Sequence, residues 1–220
     1  MTITLVFLAL LMGALLWWLF RQSVNVQPWA APGHATDIHP GVLDRPAAKT
    51  ALWVFLAVVT SLFALFISAY AMRMHVGDWT HLHKPRLLTL NTIVLIVTSA
   101  AMHWTVLAAR RADMKIVRLG VLATGGLTFA FLIGQFVVWR QLNEAGVYLN
   151  TNPSSSFFFM LTAVHALHVI GGLIAWARTA TRVLSGADPA RMRLGVELCA
   201  IYWHFLLVVW LVLFALLLST

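Results

Sequence analysis

The chain has 220 residues, 61% of them apolar and only 10% charged, with a net charge of +8 and a pI near 10.8. Soluble domains carry about a quarter charged residues, so a globule of this composition would lack the polar surface to face water on every side. The basic residues sit at the ends of apolar blocks and form no stripe, which argues against nucleic acid as a partner, and the lone Cys199 excludes an intrachain disulfide and a cysteine-based zinc site.

A hydrocarbon core about 30 Å thick needs roughly 20 apolar residues in helix, and six blocks without an internal proline meet that length. The first covers 2–20. Its start, MTITL, has no charged side chain and its first basic residue, Arg21, follows the block. A secretory signal has the opposite polarity, so an uncleaved helix with an outer N-terminus is expected. Residues 21–49 follow, with Pro28, Pro32, Pro40 and Pro46, and read as an extended cytoplasmic connector. The second block, 50–72, shows small residues on one face at Ala57, Ser61, Ala64 and Ser68. The third, 88–109, carries His103. In the fourth, 118–142, Gly126, Ala130 and Gly134 recur every four residues beside Gln135, the best candidate for a close helix contact. The fifth, 156–178, holds His165 and His168 among small residues, and the sixth, 194–218, holds Glu197 and His204. Trp17, Trp18, Trp53, Trp139 and Trp176 fall near block ends, where an interfacial aromatic belt is expected. The fold class is therefore an all-α integral membrane protein with six transmembrane helices.

Orientation follows from charge. Arg21, Arg45, Lys49, Arg110, Arg111, Lys115, Arg118, Arg178, Arg182, Arg191 and Arg193 lie after the first, third and fifth blocks. Arg73, Lys84, Arg86 and Arg140 lie after the second and fourth. By the positive-inside rule the first set is cytoplasmic, so both termini face the outer, periplasmic side of the cell's inner membrane.

Ionisable groups at bilayer depth cost a few kcal/mol at least, so each needs a reason. His165 and His168, three apart, share a helical face. At about 1.5 Å per residue, His168 and His204 lie roughly 15 Å from the cytoplasmic ends of their helices, His103 about 9 Å and Glu197 about 5 Å. A His103–Glu197 pair is feasible at that depth. Four intramembrane histidines permit two readings: bis-imidazole haem ligation, as in b-type cytochromes, or hydrogen bonds to neighbouring helices and lipid headgroups. Spacing leaves both open. No Ser/His/Asp set, phosphate loop or HExxH motif occurs, so hydrolytic catalysis is not expected.

Three segments then resemble one family. His165-Ala166-Leu167-His168-Val169-Ile170-Gly171-Gly172 resembles the HGLHVIIG segment of cytochrome c oxidase subunit III. Glu197 followed by Tyr202-Trp203-His204-Phe205 and Val208-Val209-Trp210 is similar to its E…YWHFVDVVW signature. Leu90-Asn91-Thr92-Ile93-Val94-Leu95 through Trp104 resembles its LNTSVLL…TW helix, and Gln135 falls where it carries glutamine. The resemblance spans residues 50–218. It implies a five-helix, subunit III-like membrane domain at 50–220, joined by the connector to an extra N-terminal helix at 1–20. It further implies a non-catalytic subunit of a proton-pumping haem-copper terminal oxidase in aerobic respiration. Such a subunit clasps subunit I (and II), where haem and copper reside, brings no cofactor of its own, and holds phospholipid. On this reading His103, Gln135, His165, His168, Glu197, Trp203 and His204 are structural or lipid-binding, and none ligates metal. A haem-binding b-type cytochrome, or a nitric oxide reductase accessory protein of the same fold, is the alternative. Carboxylates of the family pattern are replaced near Val59 and Thr60, at Leu207 and at Val138, which weakens any carboxylate-dependent proton role.

Overall fold

The computed structural model describes residues 45–77, 79, 85–186 and 189–219. The first apolar block and most of the connector lie outside them. The described residues form five α-helices: α1 (Arg45–Arg73), α2 (Leu87–Arg110), α3 (Met114–Glu144), α4 (Pro153–Leu184) and α5 (Pro189–Leu218). With 24 to 32 residues each and about 1.5 Å rise per residue, every one is long enough to cross the hydrocarbon core. All five are also apolar enough to do so. In lipid the helix is favoured because it satisfies its own backbone.

The helices run past the apolar blocks at every end except the last, where α5 stops with its block at Leu218, and local chemistry explains several of the boundaries. Asp113 caps α3, accepting from the Lys115 and Ile116 amides at 3.2 Å. Asn152 and Ser155 form a reciprocal capping box, with Pro153 in the first turn of α4. α1 starts at Arg45, inside the stretch read as connector, with Pro46 in its first turn.

Residues Val58–Thr220 form one compact unit; of the other, Met1–Ala57, the described part is the beginning of α1. Within Val58–Thr220, α2 packs on α3 and α5, and α4 packs on the same two helices. The four close into an antiparallel bundle in the cyclic order α2–α3–α4–α5. Phe63 and Tyr70 of α1 reach α4 at His165, His168 and Phe157.

Close approach uses only one of the three small residues that the spacing suggested, Gly134, together with Gly125. Gly126 and Ala130 are exposed, and a Cβ at Gly126 would meet nothing. The face of α3 that turns inward carries Val121, Thr124, Gly125, Thr128, Phe131, Gln135 and Val138. At Gly125 an added methyl would collide with the Trp176 ring, and at Gly134 with the Asn91 side chain. The regular four-residue spacing marked one side of α3, while its bulkier polar neighbours marked the packed side. Trp139 and Trp176, placed near the block ends, also make helix contacts. Trp176 Nε1 donates to the Val121 carbonyl at 3.0 Å, and Trp139 Nε1 to Thr162 Oγ1 at 3.1 Å.

Candidate functional site

The buried interior of α2–α5 is polar to a degree that lipid-facing surfaces are not, and its hydrogen bonds follow one repeated device. Thr92, Thr128 and Thr162 each donate the hydroxyl proton to a carbonyl one turn back in their own helix, at 3.0, 2.7 and 2.7 Å. Each then accepts an indole N–H from another helix. Trp210 donates to Thr92 at 3.0 Å, Trp203 to Thr128 at 3.1 Å, and Trp139 to Thr162 at 3.1 Å. A hydroxyl both donates and accepts, so one threonine satisfies itself and the indole N–H of a tryptophan on another helix. The three bonds tie α5 to α2, α5 to α3, and α3 to α4.

Trp203, singled out from the sequence, is therefore a central strut: it is 1% exposed and joins α5 to α3. Trp210 was not singled out, yet its ring completes an aromatic triangle with Phe131 and His165, at centroid distances of 5.1, 4.9 and 5.9 Å. His165 is fully buried at this point, and Phe63 approaches it from α1. Gln135, also buried, lies one turn from Phe131 on α3.

His168 turns away from the centre. Its Nδ1 bonds the Val164 carbonyl at 2.8 Å, and its ring lies 5.4 Å from Phe63. Its own carbonyl accepts the Tyr202 hydroxyl at 2.9 Å, which joins α4 to α5. Gly172 permits that bond, because a Cβ there would overlap the Tyr202 ring.

A second polar group lies between α2 and α5. Ser99 Oγ and His204 Nδ1 share a hydrogen bond, and the His103 ring lies 5.6 Å from that of His204. Toward the end of the bundle where α2 finishes and α5 begins, Glu197 lies 3.3 Å from Arg193 and 3.8 Å from Arg110. Ser99 had no distinguishing signal in the sequence, since serine and threonine are common in membrane helices.

At the opposite end, Phe136, Trp139, Arg140, Tyr148, Leu149 and Phe159 line a cavity of about 450 Å³. Arg140 also reaches Glu144 at 3.2 Å. Among the described residues, no three His, Cys, Asp or Glu side chains gather in the manner of a metal site. The arrangement locks helices together, and at one end it sets aromatic side chains with Asn143 and Asn150 beside a cation.

The family model described as Cytochrome c oxidase subunit III matches residues 49–219. Cytochrome c oxidase subunit 3 of Corynebacterium diphtheriae is 32% identical over 157 residues, covering 70% of this chain and 76% of the relative. The probable cytochrome c oxidase subunit 3 of Mycobacterium bovis is 32% identical over 182 residues, 78% and 88% of the two chains. A heme-copper oxidase subunit I+III of Aeropyrum pernix is 26% identical over 210 residues, 90% of this chain but 25% of the relative. The motif segments therefore have a structural meaning in this bundle: His165–Gly172, Tyr202–Trp210 and Leu90–Trp104 supply the facing surfaces of α4, α5 and α2.

Proposed function

The chain belongs to the cytochrome c oxidase subunit III family, and from that premise we propose that it is the non-catalytic subunit III of a proton-pumping haem-copper oxidase in aerobic respiration, seated against subunit I. One observation carries the partner: the Aeropyrum relative is a heme-copper oxidase subunit I+III whose chain extends well beyond the part matched here. Two parts encoded as one polypeptide are held together covalently, and a separate chain of the same kind would need a surface to do the same. The exposed Gly126 and Ala130 on α3 offer a smooth face of the type on which membrane helices approach closely. Haem and copper belong to the partner; the role of this chain is to hold a rigid helical wall in place.

Phospholipid is part of the same reading. The aromatic cavity beside Arg140 suits a lipid at the membrane boundary, with its phosphate near the guanidinium and an acyl chain along Phe136 and Phe159. The same reading takes the apolar block at 2–20 as a further span and sets both termini on the periplasmic side; the excess of Lys and Arg after the first, third and fifth apolar blocks supports that orientation.

Haem ligation by the intramembrane histidines is not favoured. Phe63, Phe131 and Trp210 crowd the ring of His165, which is fully buried among them. The relatives' names likewise point to an oxidase subunit and not to a nitric oxide reductase accessory protein.

The test is purification of the affinity-tagged chain from its native membrane in mild detergent. Haem-copper subunits I and II should co-purify in fixed proportion, with all haem assigned to them. A tagged chain that emerges alone, carrying a b-type absorption band, would contradict the proposal.

A further inference from the structure

The cavity at the end of α3 is built on a graded face. Phe136, Arg140 and Glu144 recur every four residues, with Asn143 three after Arg140, so all four share one side of the helix. Phe136 and Glu144 are about 12 Å apart along the axis, and the face passes from an aromatic ring to a guanidinium, an amide and a carboxylate. A phospholipid at a membrane boundary presents its parts in a matching order: acyl chains, esters and phosphate, then headgroup. The cavity volume of about 450 Å³ lies within the range of small-molecule sites, about 300–1,000 Å³. It has room for a headgroup and glycerol backbone, with the chains leaving past the exposed Phe136 ring.

The walls are held in place by bonds outside the cavity. Trp139 is fixed through Thr162 at 3.1 Å. The turn that brings Tyr148, Leu149 and Asn150 to the site is tied to the start of α4. Ser155 Oγ lies 2.9 Å from the Tyr148 carbonyl, Ser156 Oγ bonds the Leu149 carbonyl, and the Tyr148 amide donates to Thr151 Oγ1 at 2.8 Å.

Charge then discriminates between headgroups. Among the described residues Arg140 is the one charged side chain in the lining, and its Nη2 lies 3.2 Å from Glu144 Oε1. A guanidinium has five N–H donors and a carboxylate about four acceptor sites. The pair can therefore stay joined while Arg140 donates to a phosphate and Glu144 accepts from a cation. A glycerol headgroup has no positive charge to set against Glu144. A choline headgroup has the charge but no N–H. A primary ammonium has both, with three donors.

We propose that this site selects a zwitterionic phospholipid with a primary amine headgroup, of the phosphatidylethanolamine type. Arg140 takes the phosphate, Glu144 takes the ammonium, and Asn143 and Asn150 offer amide donors to the phosphate and ester oxygens. The proposal rests on the reading of this cavity as a lipid site and adds the class of lipid it prefers.

The test uses the whole oxidase complex equilibrated in nanodiscs of equal parts phosphatidylethanolamine, phosphatidylglycerol and phosphatidylcholine, with retained lipids counted by mass spectrometry. Comparison with the Arg140→Ala complex cancels lipids bound elsewhere and identifies the occupant of this site. The lipid lost should be phosphatidylethanolamine, preferred about two- to fivefold over the other two, as an exposed ion pair supports. Glu144→Gln should abolish that preference while a lipid remains bound. Both side chains are 66% exposed, so neither change strands a buried charge. Loss of the three lipids in equal measure, or a preference that survives Glu144→Gln, would overturn the selectivity and leave the lipid site standing. No lipid lost on Arg140→Ala would overturn the lipid site and the selectivity together.

Discussion

Replacing Thr128 by valine isolates the threonine–tryptophan device. Valine keeps the shape, removes the hydroxyl that accepts from Trp203 Nε1 at 3.1 Å, and leaves that N–H buried, since Trp203 is 1% exposed. Stranding a buried donor costs about 1–3 kcal/mol, whereas interhelical hydrogen bonds in membranes average about 0.6 and reach about 1.7 kcal/mol. Trp203 is too buried for bulk solvent to take over the N–H, so a cost of about 1–2 kcal/mol is expected. Thr98 supplies the control. It is equally buried, but its hydroxyl bonds only the Val94 carbonyl of its own helix at 2.7 Å. Thr98→Val should cost only a few tenths of a kcal/mol, because no second helix depends on it. The assay is reversible unfolding in bicelles or nanodiscs, read as a double-mutant cycle with Trp203→Phe. A Thr128→Val cost no larger than that of Thr98→Val, or a cycle with no coupling to Trp203→Phe, would refute the device.

Other outcomes follow from the same contacts. Gly172→Ala should displace Tyr202, break its bond to His168 and lower the thermal midpoint of the complex, while Gly171→Ala, with open space around it, should change little. Arg140→Ala should reduce the phospholipid retained per complex in quantitative lipid mass spectrometry, with haem content unchanged; equal lipid in both forms would remove the cavity from the account. Cysteines replacing Arg111 and Arg191 should resist a membrane-impermeant thiol reagent added outside intact cells, and one replacing Glu144 should react. Deleting residues 1–44 should leave assembly with the oxidase largely intact, as judged by co-purification, because the matched family region begins at residue 49.

The five described spans were readable as long apolar blocks, because lipid demands continuous apolar helix and leaves few other patterns. Their ends were less readable. Helices continue through polar caps such as Asp113 and Asn152, which a hydropathy boundary excludes. The packed face of α3 was misread because Gly125 and Gly126 are adjacent. Only the polar line through Thr124, Thr128 and Gln135 shows which of them points inward. Trp139 and Trp176 sat where a belt would place them, but their N–H groups found acceptors on a neighbouring helix. Of the polar residues, His165, Gln135 and His204 stood out in the sequence by their rarity at bilayer depth, and Trp203 by its place in the family signature. Ser99 and Thr128 carried no signal, and Thr92 none beyond its place in a motif segment, because a hydroxyl that bonds its own helix costs lipid nothing and is common. The segment 2–20 lies outside the described residues.

The central claim is that this chain stabilises a catalytic partner and carries no redox centre. Stripping it from the purified oxidase and adding it back tests that claim most directly, with the reduced-minus-oxidised spectrum and the turnover lifetime measured at each stage. The account predicts an unchanged haem spectrum per catalytic subunit, a faster loss of activity during turnover, and recovery of the lifetime on reconstitution. A haem band that leaves and returns with this chain would contradict it.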